Sequence, residues 1–196
     1  MICSSNKTGP GWIFIAVILM VMGLLQLADF QTLRYQQDWV SQGEYWRVFS
    51  AHWVHINTPH LLLNALGLLL CMGITSPGWS IRRWVIYHFL LALGISILFT
   101  LLSPELQWYA GYSGVLYGIF MLAAIDLYQR DKLIAVLLGI AISTKIVLEQ
   151  VGGFNVTSSK FIGTLVVIDA HLYGALLALS IALGERVYTI LYKDKI

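Results

Sequence analysis

Apolar residues run along the chain in long blocks, broken by short polar, proline or glycine punctuation. Six blocks predict membrane-spanning helices, over residues 11–28, 59–75, 84–102, 113–128, 133–151 and 161–183, since about 20 apolar residues cross the hydrocarbon core. Thr58 reads as the N-cap of the second span, with Pro59 at its first helical position. Ser76-Pro77-Gly78 stops that span, Ser103-Pro104 stops the third, and Arg130-Asp131-Lys132 follows the fourth. Residues 29–58 match neither a span nor a free linker. They carry Tyr35, Trp39, Tyr45, Trp46 and Trp53, the residue types that settle at headgroup level, and so read as a loop lying partly in the interface. The first block is too long for a signal-peptide core, and no A-x-A site follows it.

Composition agrees with this picture. The chain has 196 residues, 58% hydrophobic and 11% charged, and a mean hydropathy of +0.76, where soluble domains have about 25% charged residues. It reads as an all-α membrane protein, one bundle over residues 1–196 with no separate soluble domain. The net charge of +2 carries no sign of nucleic acid as a partner. Cys3 and Cys71 lie in a tail and in mid-helix, so no disulfide is expected. The basic residues are better informants. With six spans, Lys7, Arg82, Arg83, Arg130, Lys132, Arg186, Lys193 and Lys195 share one side, and only Arg34, Arg47 and Lys160 lie opposite. Positive residues favour the cytoplasm, which puts both termini there and the loops 29–58, 103–112 and 152–160 outside.

The fourth span is short. From Ser113 to Tyr128 it reaches about 24 Å at 1.5 Å per residue, against ~30 Å of hydrocarbon. Its start therefore falls below the external surface, where non-helical backbone survives only if buried in protein or lining a wet cavity. Ser113 stands there between Gly111-Tyr112 and Gly114. It suits either an exposed nucleophile or a small-residue helix start.

Ionisable and amide groups inside spans are costly and so are functional candidates: His60 and Asn64, His88, Lys145 and Glu149, Asp169 and His171. His171 lies about ten residues into the sixth span, or about 15 Å deep by helical rise, near the depth inferred for Ser113. Its neutral imidazole can accept a serine proton, or it can be a packing histidine. His60 and Asn64 share a helix face and can donate to an oxyanion or serve as interhelical glue. Asp169 is about 200° round the helix from His171, and no other acid falls at that depth, so any catalysis is expected to use a Ser–His dyad, with Tyr117 packed under the imidazole instead of an acid. Lys145 and Glu149 are spaced to pair on one helix face, as a structural pair or as a charged patch that reads substrate. No metal or other cofactor is expected: His52, His55 and His60 lack the H-E-x-x-H arrangement. Nor is Gly-Tyr-Ser-Gly the G-x-S-x-G elbow of soluble hydrolases. Gly114 with Gly118, and Gly174 with Ala178, form small-residue faces that allow close helix approach and would bring the fourth and sixth spans together.

Four separated motifs coincide with a known pattern: Glu44-Tyr45-Trp46-Arg47; His55, His60 and Asn64; Gly111-Tyr112-Ser113-Gly114; and Ala170-His171-Leu172-Tyr173-Gly174. In these the chain resembles the rhomboid family of intramembrane serine proteases, over nearly its whole length. The resemblance implies a six-helix bundle with a membrane-embedded first external loop steadied by Trp46 and Arg47. It implies Ser113 as nucleophile and His171 as general base. His60, Asn64 and the Ser113 backbone N–H would line an oxyanion site, Tyr117 would stack on His171, and the fifth span would gate lateral access for substrate. The compact length, His52-Trp-Val-His55 and His60-Leu-Leu-Leu-Asn64 look most like the bacterial rhombosortase branch. That likeness implies residence in the bacterial inner membrane and single-pass substrates whose C-terminal Gly-Gly anchor is removed. The chain departs from the wider family at Asp169, at the Lys145/Glu149 pair and at Ala178, where a glycine is usual.

Overall fold

The computed structural model describes residues 11–75, 79–152, 163 and 166–192. The start of the sixth block at Phe161, most of the 152–160 loop, Pro77, Gly78, Cys3, Lys7, Lys193 and Lys195 lie outside them. Among the described residues the chain is all-helical: α1 (Gly11–Leu25), α2 (Phe30–Leu33), α3 (Gln37–Ser41), α4 (Arg47–Ser50), α5 (Thr58–Thr75), α6 (Ile81–Leu102), α7 (Ser113–Leu127), α8 (Lys132–Gln150) and α9 (Asp169–Tyr192). Helices α5, α6, α8 and α9 are long and apolar enough to cross a membrane, while α1 and α7 are shorter apolar helices.

Several ends differ from the sequence expectation, each for a local reason. Asn57, not Thr58, caps α5: its side-chain oxygen accepts from the His60 backbone N–H at 3.0 Å, and its carbonyl accepts from Leu61. Helix α6 starts three residues earlier than expected, because Ser80 caps it by accepting from the Arg83 backbone N–H, and both arginines belong to its first turn. Helix α1 stops at Leu25, where Gln26 leaves the apolar run to donate to the His55 carbonyl at 3.2 Å. The last helix starts at Asp169, well after the expected 161, and continues past 183. Val166, Val167 and Ile168 precede it as non-helical chain; they are apolar enough to extend a hydropathy block but β-branched, which weakens helix formation.

The core forms around α7, which packs against α5, α6, α8 and α9. Its contact with α9 is made backbone to backbone: a Cβ on Gly118 would lie 2.9 Å from the Gly174 carbonyl oxygen. Helix α6 buries Trp84, Tyr87, Leu91, Ile95 and Phe99, one 3.6-residue stripe. At the end of α7 away from Ser113, Arg83 meets Asp126 at 3.0 Å and Glu185 at 3.4 Å, and Arg130 meets Asp126 at 2.8 Å, joining α6, α7 and α9.

Helices α2 to α4 make up the long aromatic loop, organised by Arg47. Arg47 is 2% exposed. It donates to Glu44 at 2.6 Å and to the carbonyls of Gln31 and Arg34, each at 2.8 Å, and lies over the Trp39 ring. Trp46 covers the outside and donates to the Thr32 carbonyl. The loop is fastened to α6 by His52 against Ser96 at 3.0 Å and by Ser96 donating to the Val48 carbonyl.

Candidate active site

The segment leading into α7 is held by that loop. Tyr35 and Tyr109 exchange backbone hydrogen bonds at 2.8 and 3.0 Å, and the Gly111 N–H donates to the Ala51 carbonyl at 2.9 Å. Gly111 has φ of +140°, and a Cβ there would lie 2.6 Å from the His60 ring. Both the backbone conformation and the imidazole require glycine. Ser113 follows as the first residue of α7, partly buried, with its N–H among those a helix start leaves without an intrahelical acceptor.

His171 sits in the first turn of α9, 4% exposed. Its Nε2 is 2.9 Å from Ser113 Oγ, and its ring stacks on Tyr117 with centroids 4.2 Å apart and planes 9° from parallel. The expected meeting of the two residues is present, but the depth count behind it is not: His171 is one turn, not ten residues, into its helix. Gly114 and Gly174 make the approach possible, since a Cβ on Gly174 would lie 2.0 Å from the Gly114 carbonyl oxygen.

The expectation of a dyad without an acid is corrected by the geometry. Glu149, in the last turn of α8, places Oε2 2.7 Å from His171 Nδ1. Its other oxygen accepts from Lys145. The sequence offered the Lys145/Glu149 pair, which does form, but gave no sign that the carboxylate also reaches His171 on another helix. An ionised carboxylate only accepts, so Nδ1 carries a proton, and in the neutral ring Nε2 then presents a lone pair to the Ser113 hydroxyl.

His60 and Asn64 are both buried in α5. Asn64 donates to the His60 carbonyl at 3.0 Å; the second amide hydrogen is available. The His55 ring braces His60 edge-on, with centroids 5.1 Å apart. The other polar residues singled out are structural. His88 bridges the Trp84 carbonyl and the Tyr112 hydroxyl, and Asp169 accepts from Ser103 at 3.4 Å. Among the described residues no cluster of three His, Cys, Asp or Glu side chains is arranged to hold a metal ion.

The sequence pattern of the Rhomboid domain matches residues 42–186, which include every residue of this site. The chain belongs to the rhomboid family. No curated protein sequence matches the chain. Rhomboid membership and the apolar helices make it a multi-pass membrane protein of an intramembrane protease family. The matched residues take in α4 to α8 and most of α9, and α1, α2 and α3 lie before them.

Proposed function

We propose that this rhomboid protein is an intramembrane serine endopeptidase with Ser113 as nucleophile and His171 as general base. The observation that carries the reading is the 2.9 Å contact between Ser113 Oγ and His171 Nε2 at the start of a helix. Ser113 Oγ attacks a peptide carbonyl carbon while its proton passes to Nε2. The developing oxyanion is met by the Ser113 N–H, by His60 and by the free amide hydrogen of Asn64, aided by the positive end of α7. Collapse breaks the C–N bond, with Nε2 returning the proton to the leaving amine. Water then attacks the ester, loses a proton to Nε2, and Ser113 recovers it as the acid product leaves.

Substrates are single-pass membrane proteins cut near the external face, with both termini of the enzyme cytoplasmic and the site open to the periplasm of a bacterial inner membrane. The distribution of basic residues supports this orientation. The motif His52-Trp-Val-His55 with His60-Leu-Leu-Leu-Asn64 favours the rhombosortase branch, and therefore removal of C-terminal Gly-Gly anchors. Cleavage of a membrane-tethered reporter by Ser113→Ala and His171→Ala variants at matched expression tests the chemistry. Both are expected to be inert; undiminished cutting by either overturns the reading. A protein that binds clients without cutting would fail to label at Ser113 with a fluorophosphonate. Mass spectrometry of anchored proteins retained when Ser113 is replaced tests the substrate class. A retained set without a shared Gly-Gly motif overturns the narrower assignment.

A further inference from the structure

Glu149 carries an inference that rests on the reading of Ser113 and His171 as nucleophile and base. We infer that Glu149, tethered by Lys145, is a positioning residue that fixes the His171 tautomer and stabilises the imidazolium formed when Ser113 gives up its proton.

The two ends of the Lys145/Glu149 pair are buried unequally. The lysine side chain is 38% exposed and the glutamate 1%. A pair made only to steady a helix face is worth little at the surface and gives no reason to bury one partner. A buried carboxylate persists only when its oxygens are satisfied. Here one oxygen takes Lys145 and the other takes His171 Nδ1 at 2.7 Å, a separation typical of charge-assisted bonds. Lys145 also stands 5.6 Å from the Tyr117 ring centroid, beside the ring on which His171 stacks. The groups facing the imidazole are therefore Glu149 and Lys145 from α8, Ser113 and Tyr117 from α7, and His60 from α5. On its own helix, Asp169 and Tyr173 turn to Ser103 instead. The carboxylate takes no proton in the cycle. It holds Nδ1–H in place while Nε2 gains and loses one.

The test compares E149Q and K145M with the unmodified protein in reporter cleavage and fluorophosphonate labelling across pH, with thermal midpoints in detergent as the check on folding. E149Q is expected to lower kcat by about 10²–10⁴-fold with KM little changed, the scale set by a triad whose acid is made an amide. Its acidic limb moves to lower pH, because the imidazolium has lost its counter-charge. K145M removes the opposing charge and moves the limb to higher pH, with the rate held within about tenfold. If E149Q keeps the normal rate, or loses rate with the limb unmoved, the positioning role is overturned. If E149Q does not fold, K145M decides, and an unmoved limb there overturns it. Inert S113A and H171A alongside either failure leave the protease reading standing; active S113A removes that reading whatever E149Q does.

Discussion

Gly174 and Gly114 meet backbone to backbone, so that a Cβ on Gly174 would stand 2.0 Å from the Gly114 carbonyl oxygen. Backbone cannot swing aside as a side chain can. Gly174→Ala is expected to push α9 off α7, costing about 1–3 kcal/mol or more and separating His171 from Ser113. The thermal midpoint and reporter cleavage should both fall. Gly139→Ala, inside α8 with nothing within 4 Å, should leave cleavage unchanged and the midpoint no lower.

Gly111 combines a positive φ with a close contact to His60, and a comparison separates the two. Gly43 has φ of +105° and open space around it. Gly43→Ala should lower the thermal midpoint alone. Gly111→Ala should in addition displace His60 and slow fluorophosphonate labelling by about 10²-fold, the scale of losing one oxyanion donor.

Arg47 satisfies two carbonyls and one carboxylate from a buried position. Arg47→Ala removes the charge-assisted hydrogen bonds to the carbonyls of Gln31 and Arg34 and should cost about 1–3 kcal/mol in total. Lysine has a single charged end that cannot reproduce the fork, so Arg47→Lys should restore little. Thermal unfolding in detergent measures both.

Tyr117 presents a ring face to His171. Tyr117→Phe keeps the stack and should keep most of the activity. Tyr117→Ala removes a contact of about 0.5–1.5 kcal/mol and should lower kcat several-fold with little change in KM.

His52 and His55 lie in the loop between α4 and α5, and burial pushes each from 6.5 down to about 3; the charge of His60 adds to the effect at His55. The unfolded chain binds these protons first. Their contribution to stability is complete above about pH 6.5 and is lost as pH falls towards about 3. The thermal midpoint should drop across that window, and His52→Gln should flatten the drop. A midpoint independent of pH there would contradict the burial of both rings.

Much of this site is legible in the sequence because polar residues in apolar blocks are conspicuous. Ser113, His171, His60 and Asn64 stand out that way, and the glycine faces indicate which helices approach. Glu149 was conspicuous too, but Lys145 one turn away supplied a sufficient explanation for it, and nothing local connects it to a ring 22 residues on. The interior faces were hidden for a different reason. Buried Leu91 and exposed Leu90 and Phe89 on α6 are equally apolar, since lipid and protein interior make similar demands on a side chain. The start of α9 at Asp169 is not legible in the sequence, because valine and isoleucine extend a hydropathy block whether or not they are helical.

Helix α7 has 15 residues, about 22 Å at 1.5 Å per residue. Its far end is pinned by Arg83 and Arg130 through Asp126; with that charged end at one membrane face, as the proposed orientation has it, the helix acts as a ruler. A hydrocarbon layer of ~30 Å is then left with about 8 Å above Ser113. With the chemistry proposed, the length of this one helix sets how far a substrate must unwind before its peptide bond comes level with the serine.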